Sequence, residues 1–485
     1  MSRLFGTDGI RGNVGEFPLL PDFVLRLGFA TGTVLLHKTL RPTVVIGRDT
    51  RYSGPALQNA LTAGLLSSGI SVIDAGVITT PGVAYLARRL DAEAGVVVSA
   101  SHNPVDENGI KFFDGKGFKL SETLEQEIET LLDEPAPWGT RTSRHFGRCI
   151  DGREMRELYV EDLVREHSNL QLDQMTVVMD CANGAASWPA PECFTRLGAK
   201  IVAIHAAPTG LNINEKAGSE YVRRNPENMI SLIRLYKADF GLAFDGDADR
   251  VIFVDQETGI IDGDHMLAIL AQHLDQHRRL LGRTIVATTM RNSGLLKYIE
   301  ASGLKYIETK VGDKYVVEKL ADLARASHSP ETLALGGEQA GHIVLLDDQH
   351  TTGDGIRTAL YMVRALLESK AASLGELARC LQKTPQVIAS AAVNDKPPLD
   401  GIKELNALRQ KAKSDLSGLQ RMELRYSGTE PLFRAMLEAD ERHSESELAN
   451  VAWAICRAVQ NASGTVEERI EILNCTRGGM LFAQT

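Results

Sequence analysis

Cysteine is scarce, with six in 485 residues, at Cys149, Cys181, Cys193, Cys380, Cys456 and Cys475. No two stand at C-x-x-C spacing, so neither a zinc ribbon nor a dithiol redox motif is encoded, and reduced, mostly buried thiols in a cytoplasmic protein are expected. Basic residues are outnumbered: 53 Lys and Arg against 63 Asp and Glu give a net charge of −10 and a pI near 5.7. That balance excludes a bulk electrostatic partner of nucleic acid. No run of about 18 apolar residues occurs, and the opening Met1 to Gly9 has no apolar core of a signal peptide. The sequence therefore predicts a chain that is neither membrane-spanning nor exported by a recognisable signal. With 43% hydrophobic and 24% charged residues it is not a disordered composition either. At about 150 residues per domain, the length implies roughly three domains or more.

What is present is a rhythm of short apolar strands and helical stretches. Residues 43–47 form a β-branched run, Ser53-Gly54-Pro55 follows as a helix start with an early Pro, and 56–67 carries helical periodicity. Further apolar runs lie at 71–73 and 95–98. The pattern restarts at 175–179, 200–204 and 240–244. It starts a third time at 284–287, with helices over 293–301, 315–326 and 355–367. Strands this uniformly apolar suit sheets covered on both faces. From about residue 377 the pattern changes to strands near 386–391, 422–425 and 433–437 with helices near 399–413 and 445–459. The predicted class is α/β: three similar α/β domains with mixed sheets over 1–155, 156–258 and 259–376, and a smaller C-terminal α+β domain over 377–485, around a central cleft. The tail after Thr465 is weakly patterned and is assigned no function.

Asp245-Gly246-Asp247-Ala248-Asp249-Arg250 places three carboxylates at alternate positions directly after an apolar strand. An EF-hand loop would need Gly at its sixth position and Glu at its twelfth, where this chain has Arg250 and Gln256. Three acids crowded against a buried strand repel one another unless a cation joins them. Metal ligation by Asp245, Asp247 and Asp249 is expected, with Mg²⁺ suited to all-oxygen ligands near phosphate.

Three other polar loops end strands or join them. In Ser99-Ala100-Ser101-His102-Asn103-Pro104, Ser101 stands beside an imidazole and is the natural nucleophile or phosphate carrier. The sequence is not the G-x-S-x-G elbow, so a hydrolase triad has no local support. Taken alone, such a Ser-His pair would be read as a turn cap. Gly336-Gly337-Glu338-Gln339-Ala340-Gly341-His342 offers an acid, an amide and an imidazole to sugar hydroxyls or an amine. Arg425-Tyr426-Ser427-Gly428-Thr429, with Arg434 nearby, supplies guanidinium groups, hydroxyls and a Gly that admits backbone N–H groups to a ligand, as a phosphate cradle would. Ligands of α/β sheets bind beyond the carboxyl ends of strands, so these loops can face one cleft.

Together these segments resemble the α-D-phosphohexomutase family over nearly the whole chain. Phe5 to Gly12 resembles its opening motif, Ser99 to Pro104 its phosphoserine loop, Asp245 to Arg250 its metal loop, Gly337 to His342 its sugar loop and Arg425 to Glu430 its phosphate loop. Ser99, Ala248 and Lys314 depart from the usual Thr, Gly and Arg. The resemblance implies an isomerase that moves phosphate between the 1- and 6-positions of a hexose through a phosphoserine enzyme and a bisphosphorylated intermediate. It implies one Mg²⁺ per chain, held by the three aspartates and Ser101, and activating phosphorylation of Ser101. Arg11, Lys111 and Arg250 become cationic partners, with Lys111 the favoured base, and His102 or His342 handles hydroxyl protons. Glu338, Gln339, Gly312, Asp313, Arg425, Ser427, Gly428, Thr429 and Arg434 become substrate contacts.

Gln339 favours the amino-sugar branch, and so a hexosamine phosphate as the small-molecule partner, with phosphomannomutase and phosphoglucomutase as the alternative. A Mg²⁺-dependent sugar phosphatase and a non-catalytic sugar-phosphate sensor are the readings from other classes. No nucleic acid or membrane partner is expected, and a homodimer stays open.

Overall fold

The computed structural model describes residues 4–6, 8–36, 42–133, 143–326, 331–427, 431–465 and 469–482. Four sheets succeed one another along the chain. The first has six strands, in the order Ile10–Asn13, Glu107–Asp114, Ala94–Val98, Thr43–Arg48, Ser71–Val77 and Cys149–Asp151. Its Ala94, Thr43, Ser71 and Cys149 strands run parallel, and Glu107–Asp114 returns antiparallel beside Ala94–Val98. The second sheet repeats the scheme: Thr176–Asp180, Lys200–Ile204 and Phe240–Phe244 are parallel, and Val251–Asp255 folds back on Phe240–Phe244. In the third, Leu280–Thr288 lies parallel to Lys305–Thr309 and Leu333–Gly337, and Ile343–Leu346 folds back on the last of these.

Each mixed sheet thus ends its parallel part in one antiparallel hairpin, and the turn of that hairpin carries a polar loop: 99–106, 245–250 and 338–342. The parallel strands are buried end to end, as in Ala94–Val98 and Phe240–Phe244, which agrees with their unbroken apolar sequences. One hydrophobic core runs through all three units, from Val45 and Val97 through Met179 and Phe244 to Leu335 and Leu360.

The fourth sheet is wholly antiparallel, in the order Leu419–Tyr426, Leu432–Ala439, Gln386–Ala392, Ile470–Asn474 and Met480–Leu481. The helices Lys403–Asp415 and Glu445–Ala462 pack with it around a core of its own. The tail that sequence patterning left without structure supplies two of these strands. Their period-2 signal is weak because they are short and only half buried, with no strongly alternating face. All six cysteines are free thiols. Among the described residues no helix is long and apolar enough to cross a membrane.

Candidate active site

Ser101 stands in the left-handed region, at φ +54°, in the turn after Ala94–Val98. A β-carbon in that conformation crowds the backbone, so the loop must be held from outside. Arg51, 1% exposed, does this from beneath. Its Nη2 donates to the carbonyls of Ser101 and Asn103 at 3.0 and 2.8 Å, and its Nη1 to those of Glu107, at 2.9 Å, and Pro104. Asp49 in turn accepts from Arg51 Nε at 3.0 Å and from Ser99 Oγ at 2.7 Å, and Ser99 Oγ accepts the Ser101 N–H at 2.9 Å. From the second unit, Asn214 Nδ2 donates to the Ser101 and Asn103 carbonyls at 2.8 and 3.0 Å.

The Ser101 hydroxyl donates to Asp245 Oδ2 and lies 3.5 Å from His102 Nδ1. Burial, and then the Arg250 charge, push His102 down to about 3, so its imidazole is neutral and Nδ1 accepts from Arg250 Nη1 at 3.3 Å. The backbones of the two loops touch: a β-carbon on Gly246 would lie 2.5 Å from the Ser101 carbonyl oxygen. Ala248 stands in the left-handed conformation at φ +59°.

Asp245, Asp247 and Asp249 are buried, and one oxygen from each lies within 4.8 Å of the others. Asp247 Oδ1 and Asp249 Oδ1 are enclosed without a hydrogen-bond partner. Burial, and then the charges of Asp249 and Asp247, hold Asp245 well above the usual carboxylate range. Orphaned anionic oxygens converging in a dry site fit a hard dication with oxygen ligands.

Lys111 Nζ closes the cluster at 2.8 Å from Asp247, 3.1 Å from Asp8 and 3.5 Å from Asp249. Burial alone would lower its pKa, but Asp247, Asp8 and Asp249 raise it above the ordinary lysine value. While these carboxylates face it, Lys111 is held in its cationic form, whereas the resemblance had favoured it as a base. Thr80 Oγ1 donates to Asp247 Oδ2 at 2.5 Å.

Arg11 reaches the same loop, donating to Asn103 Oδ1 at 3.3 Å and to Asp8. Asp8 lies in the opening motif, but sequence reasoning did not single it out. It also accepts from Lys119 at 2.6 Å, and Lys119 pairs with Asp313 of the third unit at 2.5 Å. His342 Nε2 lies 3.6 Å from Asp313, with both ring nitrogens buried and without a hydrogen bond. Glu338 Oε1 accepts the Gly312 N–H at 3.1 Å. The 338–342 loop is joined to the hairpin that carries 245–250 by the Val251 N–H, which donates to the Gly341 carbonyl at 3.2 Å.

Gln339 corrects an expectation. It is 4% exposed, with Nε2 donating to Asp264 at 2.8 Å and to Gln386 of the fourth sheet at 2.7 Å. A buried amide beside a carboxylate is satisfied where it stands and has no donor left for a sugar. Lys314 Nζ lies 3.6 Å from Glu125.

In the fourth sheet, Arg425 and Arg434 face each other across adjacent strands. The Arg434 charge also acts to lower the His102 pKa. The Ser427 carbonyl accepts from Lys396 at 2.7 Å. Gly428 and Thr429 lie outside the described residues. Asp49, Arg51, Thr80, Lys119 and Asn214 also went unread in the sequence. Each acts through a contact across tens of residues or more, for which a single sequence carries no spacing signal.

Comparison with known proteins places this architecture. Models of the phosphoglucomutase/phosphomannomutase α/β/α domains I, II and III match residues 2–137, 157–259 and 262–384. A phosphoglucosamine mutase of Geobacillus thermodenitrificans is 43% identical over 90% of this chain and 95% of its own length, and one of Bacillus subtilis is 42% identical over 93% and 97%. Among solved structures, a phosphoglucomutase/phosphomannomutase family protein of Burkholderia thailandensis has a TM-score of 0.72 at 25% identity, covering 95% of this chain and 97% of that one. An N-acetylphosphoglucosamine mutase of Aspergillus fumigatus, solved with GlcNAc-6P and magnesium, shares the fold with a TM-score of 0.62 at 18% identity, covering 95% and 96%. With three consecutive domains matched and curated relatives aligned almost end to end, the chain belongs to the phosphoglucomutase/phosphomannomutase family and is a phosphohexomutase, an isomerase.

Proposed function

We propose that this phosphohexomutase interconverts glucosamine 6-phosphate and glucosamine 1-phosphate, with Ser101 as the phosphate carrier, in the cytoplasm. The observation that carries the reading is the Ser101 hydroxyl, donated to Asp245 at the point where the first two hairpin turns meet. The substrate follows from the curated phosphoglucosamine mutases that align with more than nine-tenths of the chain.

In the forward direction the phosphorylated Ser101 gives its phosphoryl group to the free sugar hydroxyl. The serine–phosphorus bond breaks, the sugar–phosphorus bond forms, and the hydroxyl proton leaves with a basic group of the site. The sugar then turns end for end, and its other phosphate returns to Ser101. Asp245, Asp247 and Asp249 would hold Mg²⁺, which when bound supplies charge stabilisation to the phosphoryl group in transit. Arg11, Lys111 and Arg250 add fixed positive charge around the same point. Arg425 and Arg434 suit the phosphate that is not reacting, because guanidinium contacts accept either orientation of the sugar. Glu338, anchored on Gly312, is the acid suited to sugar hydroxyls or a 2-ammonium group. His102, neutral and beside the hydroxyl, and His342, next to Asp313, are the imidazoles of the cleft walls.

Intact-mass analysis of active protein is expected to show one phosphate that is missing from Ser101→Ala, together with loss of turnover. Comparison of kcat/KM on glucosamine, glucose and mannose 6-phosphates tests the substrate. Phosphomannomutase and phosphoglucomutase remain the alternative that this comparison separates. A tenfold preference for a neutral sugar, about 1.4 kcal/mol at the transition state, would overturn the amino-sugar assignment.

A further inference from the structure

The helices Gly263–Gln276 and Gly355–Glu368 both begin at the cleft. Gly263 lies against the Glu338 carbonyl and Gly355 against those of Arg250 and Ala248. Fourteen residues of helix are about 21 Å long, so their other ends meet well away from the aspartate loop. There His273 and His277, one turn apart and on the same face, approach Glu368. His277 Nε2 lies 3.2 Å and His273 Nε2 3.8 Å from the same oxygen, Oε2. The two rings are 4.7 Å apart, and one ligand atom from each of the three residues falls within 4.8 Å of the others.

The other oxygen of Glu368 faces Arg364 Nη1 at 3.4 Å, which leaves Oε2 turned toward the imidazoles. His273 is buried, whereas His277 is about half exposed and Glu368 one-third exposed, so the cluster has a dry floor and an open side.

We propose that His273, His277 and Glu368 form a second cation site, specific for Zn²⁺ rather than Mg²⁺, that clips the ends of these two helices together. Two nitrogens and one carboxylate oxygen are the donor set that Zn²⁺ takes, and a hard cation such as Mg²⁺ gains little from imidazole. A His pair at i, i+4 presents its nitrogens to one point, and the open side leaves the fourth position to water. Arg364 and Arg279 are the cations facing the cluster and oppose the ion. Both are already engaged, Arg364 with the Glu166 carbonyl and Asn169 and Arg279 with the Glu331 carbonyl, and the Glu368 charge offsets them. An ordinary His–Glu ion pair is the alternative, and it would take up no metal.

The test uses full-length protein with the aspartate loop saturated by excess Mg²⁺. Titration with Zn²⁺, and with Co²⁺ followed by its visible d–d absorption, is expected to show one equivalent bound by the wild type. His277→Ala is expected to lose that equivalent, and Glu368→Gln to bind at least tenfold more weakly. Both residues are exposed enough for the variants to fold, which the buried His273 does not guarantee. Zn²⁺ is further expected to raise the melting temperature of the wild type but not of His277→Ala, with mutase turnover equal in all three proteins. Equal Zn²⁺ uptake and affinity in the wild type and His277→Ala, or a Co²⁺ spectrum that does not depend on His277, would overturn the site.

Discussion

The Ser101 carbonyl accepts a hydrogen bond from Arg51 Nη2 at 3.0 Å, and the same guanidinium holds the carbonyls of Asn103 and Glu107. A left-handed serine costs about 1 to 2 kcal/mol, and this buried fork is what the loop offers against that cost. A lysine at the position keeps the charge beside Asp49 but cannot reach three carbonyls at once. Arg51→Lys is therefore expected to fold, to keep KM close to that of the wild type, and to lose about 100-fold in kcat through misplacement of Ser101, the proposed phosphate carrier. Steady-state kinetics with circular dichroism checks this, and an unchanged kcat would show that the fork is dispensable.

Gln339→Met removes the donor that Asp264 and Gln386 share while keeping the volume of the side chain. Its expected effect is on the contact between the third and fourth units: a lower melting temperature and a lower kcat on every hexose phosphate alike. The ratio of kcat/KM between glucosamine and glucose 6-phosphates should stay where it is. A ratio shifted tenfold would return Gln339 to the sugar site.

Removing metal with a chelator is expected to abolish turnover, and Mg²⁺ to restore it. Asp247→Asn should lose at least about 100-fold in kcat, since charge stabilisation by the ion is worth several kcal/mol. Isothermal titration with Mg²⁺ should show weaker binding in that variant. Full activity in the chelated protein would contradict the assignment of the three aspartates.

Burial pushes His167 down to about 3, with the Arg364, Arg357 and His350 charges adding to the effect against Glu166. The unfolded chain takes up a proton there near the ordinary histidine value of about 6.5, whereas the folded protein does not until far lower pH. The neutral ring therefore contributes stability that is present above pH about 6.5 and is lost as pH falls toward 3, at up to about 1.4 kcal/mol per pH unit. Asn at this position keeps an acceptor for Arg364 and does not titrate. Urea unfolding between pH 7 and pH 4 should give a shallower decline for His167→Asn, and parallel curves would remove His167 from the acid response.

The aspartate loop and the serine loop were legible in the sequence as short runs of particular polar side chains directly after apolar strands. The structure places Asp245, Asp247 and Asp249 around one point with Ser101 beside them. The return strands Glu107–Asp114 and Ile343–Leu346 were not read, and with them the repeated hairpin that carries each loop stayed hidden. Glu107 to Asp114 mixes charge, Asn and Gly with its apolar residues, so local propensity gave no strand there. Gln339 was legible as a polar residue in a sugar loop, but the direction of its side chain depends on Asp264 and Gln386, which lie 75 and 47 residues away in sequence.

The place of the tail in the fourth sheet bears on how the protein is made. Gln386–Ala392 is flanked by Leu432–Ala439 and Ile470–Asn474, both later in the chain. A nascent polypeptide leaves the ribosome from its N-terminus, so this central strand emerges before either neighbour. The three earlier units, with their continuous core, can fold while it waits. During that interval the bare strand edge is the part of the molecule most exposed to mispairing, and it is where a chaperone would have most to protect.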